Sequence, residues 1–195
     1  MQEKIQLNHF SLISRLFGNL FYRQPTDNIL SGVFTWLQQQ QLSEVWPLTE
    51  DAESQQALDA LQMPIDLTLL EKEYQKLLGE KGAVATQISA YDISVADFEN
   101  FRQERNLPPS DNLDHFAMLL LTASWLEDNA DSLSAQQDLF EQFLLPCAAK
   151  FLTQVENQAT LPFYRALAIL TREILAAMAD ELEEELGNIL LSSKS

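Results

Sequence analysis

Asp114 and His115 lie side by side in the run Asp111-Asn112-Leu113-Asp114-His115-Phe116, and a carboxylate next to an imidazole invites an acid–base reading. The stretch that follows, Ala117 to Leu126, holds Met118, Leu119, Leu120, Leu121, Trp125 and Leu126 with no charge before Glu127, which predicts a helix buried on several sides. Pro108-Pro109-Ser110-Asp111 reads as its entry, with Ser110 and Asp111 as candidate N-caps and Asp114 and His115 in the first turn. Consecutive helical residues point about 100° apart, so the pair cannot serve one pocket as a relay. The expectation is that Asp114 satisfies free N–H groups at the positive end of the helix while His115 fills a half-buried slot. His9 and His115 are the only histidines and Cys147 the only thiol, without the spacing of a metal site, so no metal is expected. Cys147 sits on an apolar helical face and reads as a packing residue. No glycine-rich phosphate loop is present, and neither a catalytic centre nor a cofactor is expected from the residues alone.

The elements that must position these residues are helical. Leu, Ala, Gln and Glu dominate, and 5 glycines in 195 residues leave little material for β-turns. The fold class is therefore all-α. The length suits a single helical domain over residues 1–195, with the tail at about 187–195, beyond the acidic cluster, expected to be flexible. A net charge of −17 repels nucleic acid and anionic membrane surfaces and attracts basic partners. Asp180 to Glu185 concentrates five acids, a pattern usual for a solvated helix end. One cysteine excludes an internal disulfide, no signal pattern opens the chain, and no segment reaches transmembrane length, so a cytoplasmic protein without membrane insertion is expected.

Helical periodicity places a first helix at about 6–22 on Leu7, Phe10, Ile13, Phe17, Leu20 and Phe21, and a second at about 28–40. Trp46-Pro47 is a break. A short helix at 51–61 precedes one capped by Thr68 and closed by Gly79 and Gly82. Residues 83–93 read as an ordered loop, and Ser94-Val95-Ala96-Asp97 as a capping box opening a helix to about Arg105. After a polar turn at 129–134, a helix at 135–155 should kink at Pro146, and Pro162 opens a last helix that Gly187 should stop.

Asp114-His115-Phe116 followed by Leu119-Leu120-Leu121 and Trp125-Leu126 resembles the signature of the TorD/DmsD family of redox-enzyme maturation chaperones. Other segments agree in order: Arg15-Leu16-Phe17-Gly18-Asn19-Leu20-Phe21-Tyr22 with Pro25, Trp46-Pro47-Leu48, Tyr74-Gln75-Lys76-Leu77-Leu78-Gly79, Phe143-Leu144-Leu145-Pro146 and Pro162-Phe163-Tyr164-Arg165-Ala166-Leu167. Arg23-Gln24-Pro25, Ala123-Ser124-Trp125-Leu126-Glu127-Asp128 and Asp180-Glu181-Leu182-Glu183-Glu184 resemble the YcdY branch.

The resemblance implies an all-helical bundle of the TorD/DmsD type and a cytoplasmic chaperone, not an enzyme. Its partner would be a client enzyme precursor, held by its twin-arginine signal peptide or its core until a molybdenum cofactor is inserted and export follows. Carried over by position, the peptide-binding residues are Asp114, His115, Tyr74, Leu77, Leu78 and Gly79, with Ser89 and Tyr91 beside them. The family's proline two residues before the aspartate is Asn112 here, and its Pro-aromatic-x-Ser turn reads Thr86-Gln87-Ile88-Ser89. With the YcdY-like segments, these departures raise a cytoplasmic metal-dependent hydrolase as an alternative client. A weak nucleotide-hydrolysing enzyme using Asp114 and His115 is the remaining alternative. A monomer and a helix-swapped dimer hinged near Pro108-Pro109 both fit the sequence.

Overall fold

The computed structural model describes residues 9–130 and 133–192, without the side chains of Leu186 and of 189–192. The chain forms α1 (Phe10–Tyr22), α2 (Ser31–Gln38), α3 (Gln41–Val45), α4 (Ala52–Gln62), α5 (Leu67–Leu78), α6 (Val95–Glu104), α7 (Phe116–Asn129), α8 (Leu133–Leu139), α9 (Leu145–Gln158) and α10 (Pro162–Ser192). Among the described residues there is no β-strand, so the fold is the expected all-α bundle.

α7 is the central element. Phe116, Ala117, Leu119, Leu120 and Ala123 are all at most 1% exposed, as an apolar run without a polar face requires. α1 is its main neighbour, and small residues set their separation. The Ser14 hydroxyl donates to the Leu120 carbonyl at 2.7 Å, and the Ser124 hydroxyl donates to the Ser11 carbonyl at 2.9 Å. A Cβ at Gly18 would lie 3.1 Å from Leu121 Cδ2, so glycine permits this approach. At the N-terminal end of α7, Phe116 stacks on Phe151 of α9 with ring centroids 4.2 Å apart. Phe21 meets both rings edge-on, at 5.7 and 5.3 Å. α10 packs on α4 and α9 and closes the other side.

Several local expectations need correction. α7 starts at Phe116 and not in the 110–114 region, so neither Ser110 nor Asp111 caps it and Asp114 precedes the first turn. α5 is capped by Asp66, whose carboxylate accepts from the N–H groups of Thr68 and Leu69, and Thr68 lies inside the helix. The second helix begins as a 3-10 turn at Asn28–Leu30. Pro146 lies in a helical run that continues from Leu133 to Gln158 and contains a π-turn that the sequence did not signal. The π-turn spans Phe140–Leu144, with Leu145 N–H reaching the Phe140 carbonyl, and directly precedes the first turn of α9, where the proline sits. α10 continues through Gly187 to Ser192, contrary to the expected stop, and residues 193–195 of the expected tail lie outside the described residues. Gly187 keeps a negative φ, and a helix of 31 residues tolerates the roughly 1 kcal/mol that an internal glycine costs. Ser94 caps α6 as expected, its hydroxyl accepting from Asp97 N–H. Residues 6–8 of the expected first helix and 131–132 of the expected turn lie outside the described residues.

Gly18→Val would overpack the α1–α7 contact. Its expected cost is about 1–3 kcal/mol, read as a lower urea midpoint with an unchanged m-value.

Candidate functional site

His115 is the N-cap of α7, with φ −102° and ψ 135°. Its Nδ1 accepts from Ala117 N–H at 3.0 Å and its carbonyl accepts from Met118 N–H at 2.9 Å. Phe116 N–H donates to the carbonyl of Thr86 at 2.8 Å. The leading donors of α7 are thereby taken, and no phosphate cradle is left at this helix end. Tyr22 packs edge-on against the imidazole at 5.0 Å, and His115 is 9% exposed. Burial pushes its pKa down to about 4, only partly opposed by the charge of Asp114. The ring is therefore neutral at pH 7, and because Nδ1 accepts, the proton sits on Nε2.

Asp114 points elsewhere. Its Oδ1 accepts from Ser89 N–H at 2.9 Å and its Oδ2 from the Ser89 hydroxyl at 2.8 Å. Its own carbonyl accepts from Ile88 N–H at 2.9 Å. With the Phe116–Thr86 bond, this forms an antiparallel bridge between Gln87 and His115. The expectation that Asp114 satisfies free N–H groups of its own helix is not met, because its carboxylate accepts from one N–H and one hydroxyl, both of Ser89 in the 83–93 loop, while His115 caps α7. Asp114 and His115 do not pair, as expected, because bridge geometry sends adjacent side chains to opposite sides.

The facing wall is the end of α5. Tyr74 donates its hydroxyl to the Tyr22 carbonyl at 3.1 Å, and Leu77 and Leu78 are buried beneath. Glu73, 5% exposed, accepts from Thr160 N–H at 2.8 Å, the Thr160 hydroxyl at 2.6 Å and Leu161 N–H at 3.2 Å. It thereby fixes α5 to the segment that opens α10. After Gly79 the chain turns back, with Ala83 N–H and Val84 N–H bonding the carbonyls of Lys76 and Leu77. A Cβ at Gly82 would lie 2.6 Å from the Leu77 carbonyl oxygen, so this return needs glycine. Tyr91 donates to the Ala85 carbonyl at 2.6 Å, and burial raises its pKa to about 12.

Between these walls lies a cleft of about 760 Å³. Of the residues singled out in the sequence, Tyr74, Leu78, Gly79 and His115 line it, while Leu77, Ser89, Tyr91 and Asp114 do not line it and help to build its walls. Asn112 and Gln87, marked in the sequence as departures from the family pattern, also line it, whereas sequence reasoning missed Tyr22 and the carboxamides of Gln24, Gln75 and Gln154. The missed residues come from three separate segments, and no spacing signal links them. Cys147 lies in the core with its pKa raised to about 12 by burial, as expected of a packing thiol. Among the described residues, no group of three or more His, Cys, Asp or Glu is arranged to hold a metal ion, and no helix is long and apolar enough to cross a membrane.

No protein-family model matches the chain. It is 40% identical to the protein named chaperone protein YcdY of Escherichia coli over 185 residues, covering 92% of this chain and 98% of that one. The chain belongs to the TorD/DmsD family of chaperones, on the YcdY branch. It is also 28% identical to the Tat proofreading chaperone DmsD of Salmonella typhi, over 91% of this chain and 93% of the relative. An uncharacterized protein of Haemophilus influenzae is 70% identical over 95% of this chain and all of its own length. The named relatives are chaperones, and this chain is a chaperone rather than an enzyme.

The shift at His115 carries a pH signature in this chaperone. Its pKa lies near 4 when folded and 6.5 when unfolded, so the unfolded chain binds the extra proton between those values. Its contribution is fully present above pH 6.5 and lost as pH falls towards 4, amounting to about 2–3 kcal/mol. His115→Asn keeps a capping oxygen but cannot titrate. Urea midpoints for the wild type should therefore fall more steeply than for His115→Asn between pH 6.5 and 4.5, and parallel curves would contradict the assignment.

Proposed function

We propose that the cleft between α5, the 83–91 loop and the start of α7 holds a segment of a redox-enzyme precursor, its twin-arginine leader or a part of its core, while a molybdenum cofactor is inserted before export. The observation that carries this reading is the cleft itself. It gathers Tyr74, Leu78, Gly79 and His115, four positions that the family resemblance marks for peptide binding, around one cavity large enough for several residues of an extended chain. A leader is basic, and a net charge of −17 steers it to the protein in the cytoplasm, where such precursors are made.

A second reading is supported by where the chain departs from the family pattern. Asn112, Thr86 and Gln87 all line the cleft. A changed wall fits a changed client, and a cytoplasmic metal-dependent hydrolase is the alternative.

The test is titration of the purified protein with a synthetic twin-arginine leader peptide, read by fluorescence anisotropy. Gln75→Arg and Gln154→Arg, both at exposed positions, place bulk and positive charge in the cleft. Affinity should fall by more than about tenfold with each, with thermal melting unchanged. Wild-type affinity in both variants would remove the cleft from client binding. Failure of the leader to bind at all, with a soluble metal hydrolase retained by wild type but not by these variants, would favour the second reading.

A further inference from the structure

The cleft is electrically quieter than the protein around it. Among the described residues that line it, Glu80 is the one carboxylate, and it stands at the exposed rim. Both oxygens of Asp114 are held by Ser89, so this carboxylate is not presented as a fork for an arginine. What the cleft does present are five carboxamides, each with a donor and an acceptor, and the Nε2–H of a neutral His115. It also presents main chain. Gln87 is extended at φ −75° and ψ 130°, beside the bridge to His115. Among the described residues, the N–H groups of Ala85, Thr86 and Gln87 donate to no protein acceptor. Ala85 and Gln87 are exposed, and their N–H groups face the side away from the edge that α7 occupies, while their carbonyls already accept from the Tyr91 hydroxyl and from Ala90 N–H.

We infer that the cleft takes an extended client segment by its main chain, pairing it along Ala85–Gln87 and against the surrounding carboxamides, and that Asp114 is a positioning residue that latches this edge through Ser89 rather than a partner for the client's arginines. This rests on the proposed client-binding reading and specifies its chemistry. The free N–H groups of Ala85 and Gln87 would bind carbonyls of the client's main chain with little demand on side-chain identity. Amides of Gln and Asn extend such a ladder because they carry the same two groups as a peptide bond. The latch matters because three bonds hold the edge in place. Ser89 donates twice to the Asp114 carboxylate, and Ile88 N–H donates to the Asp114 carbonyl. Arginines of a leader would then be steered by the protein's overall field and met at the rim by Glu80, where screening makes an ion pair weak.

The experiment uses a synthetic twin-arginine leader peptide, the same peptide with both arginines replaced by glutamine, and a third with alternate backbone amides N-methylated. Binding is measured by anisotropy at two salt concentrations, with hydrogen exchange of residues 83–91 to locate the bound peptide. Replacing the arginines should weaken binding by less than about threefold at high salt, whereas N-methylation should weaken it by more than about tenfold. Asp114→Asn retains an acceptor for Ser89 N–H and should bind within about threefold of wild type. Asp114→Ala and Ser89→Ala should both speed exchange over 86–91 and weaken binding, so rescue by Asn separates positioning from charge. If the peptide protects the cleft but N-methylation has no effect, or if Asp114→Asn loses as much as Asp114→Ala, the inference falls and the client-binding reading stands. If no peptide protects the cleft, both fall.

Discussion

The constraint from which the rest of the site follows is the buried start of α7. A helix whose first residues are all but inaccessible to water brings unpaired N–H groups into the core, and each must find an acceptor. His115 supplies one through Nδ1 and one through its carbonyl, and the 83–91 loop supplies a third through Thr86. Meeting that demand immobilises His115 in a neutral form and draws an extended segment alongside it. The cleft is the space left between this segment and the end of α5.

Two further contacts keep that space from collapsing or widening. The serine and glycine stripe of α1 brings it close to α7 and sets Tyr22 against both His115 and the Tyr74 hydroxyl. Glu73, buried in α5, binds the segment before α10 and so ties one wall of the cleft to the far side of the bundle. A carboxylate at that depth is stable because it accepts three charge-assisted hydrogen bonds. The walls therefore rest on helices, while the extended Ala85–Gln87 edge lies on a loop.

For a chaperone this separates two tasks. On the function proposed above, the acidic charge would act over distance and speed encounter with a basic precursor, an effect that salt weakens. The cleft would act at contact range with neutral donors and acceptors, where the inferred hydrogen bonds to main chain tolerate variation in client sequence. A holder that must later release its client gains from such division, since neither the field nor the cleft depends on a buried ion pair.

Composition and periodicity by themselves determined the helical class, most of the helices and the capping of α6. These follow from local propensity and from the 3.6-residue repeat of apolar side chains. Motif resemblance in the run of helices carried the family, which the curated relatives bear out. Boundaries that depend on distant acceptors were not legible. The sequence suggested Ser110 or Asp111 at the entry of α7, whereas the loop around Thr86 moved the cap to His115. The π-turn ahead of Pro146 was not legible either. The partner of Asp114, the neutrality of His115 and the gathering of Gln24, Gln75, Gln87, Asn112 and Gln154 were decided only in three dimensions, because hydrogen-bond satisfaction and burial are properties of neighbours that no local spacing encodes.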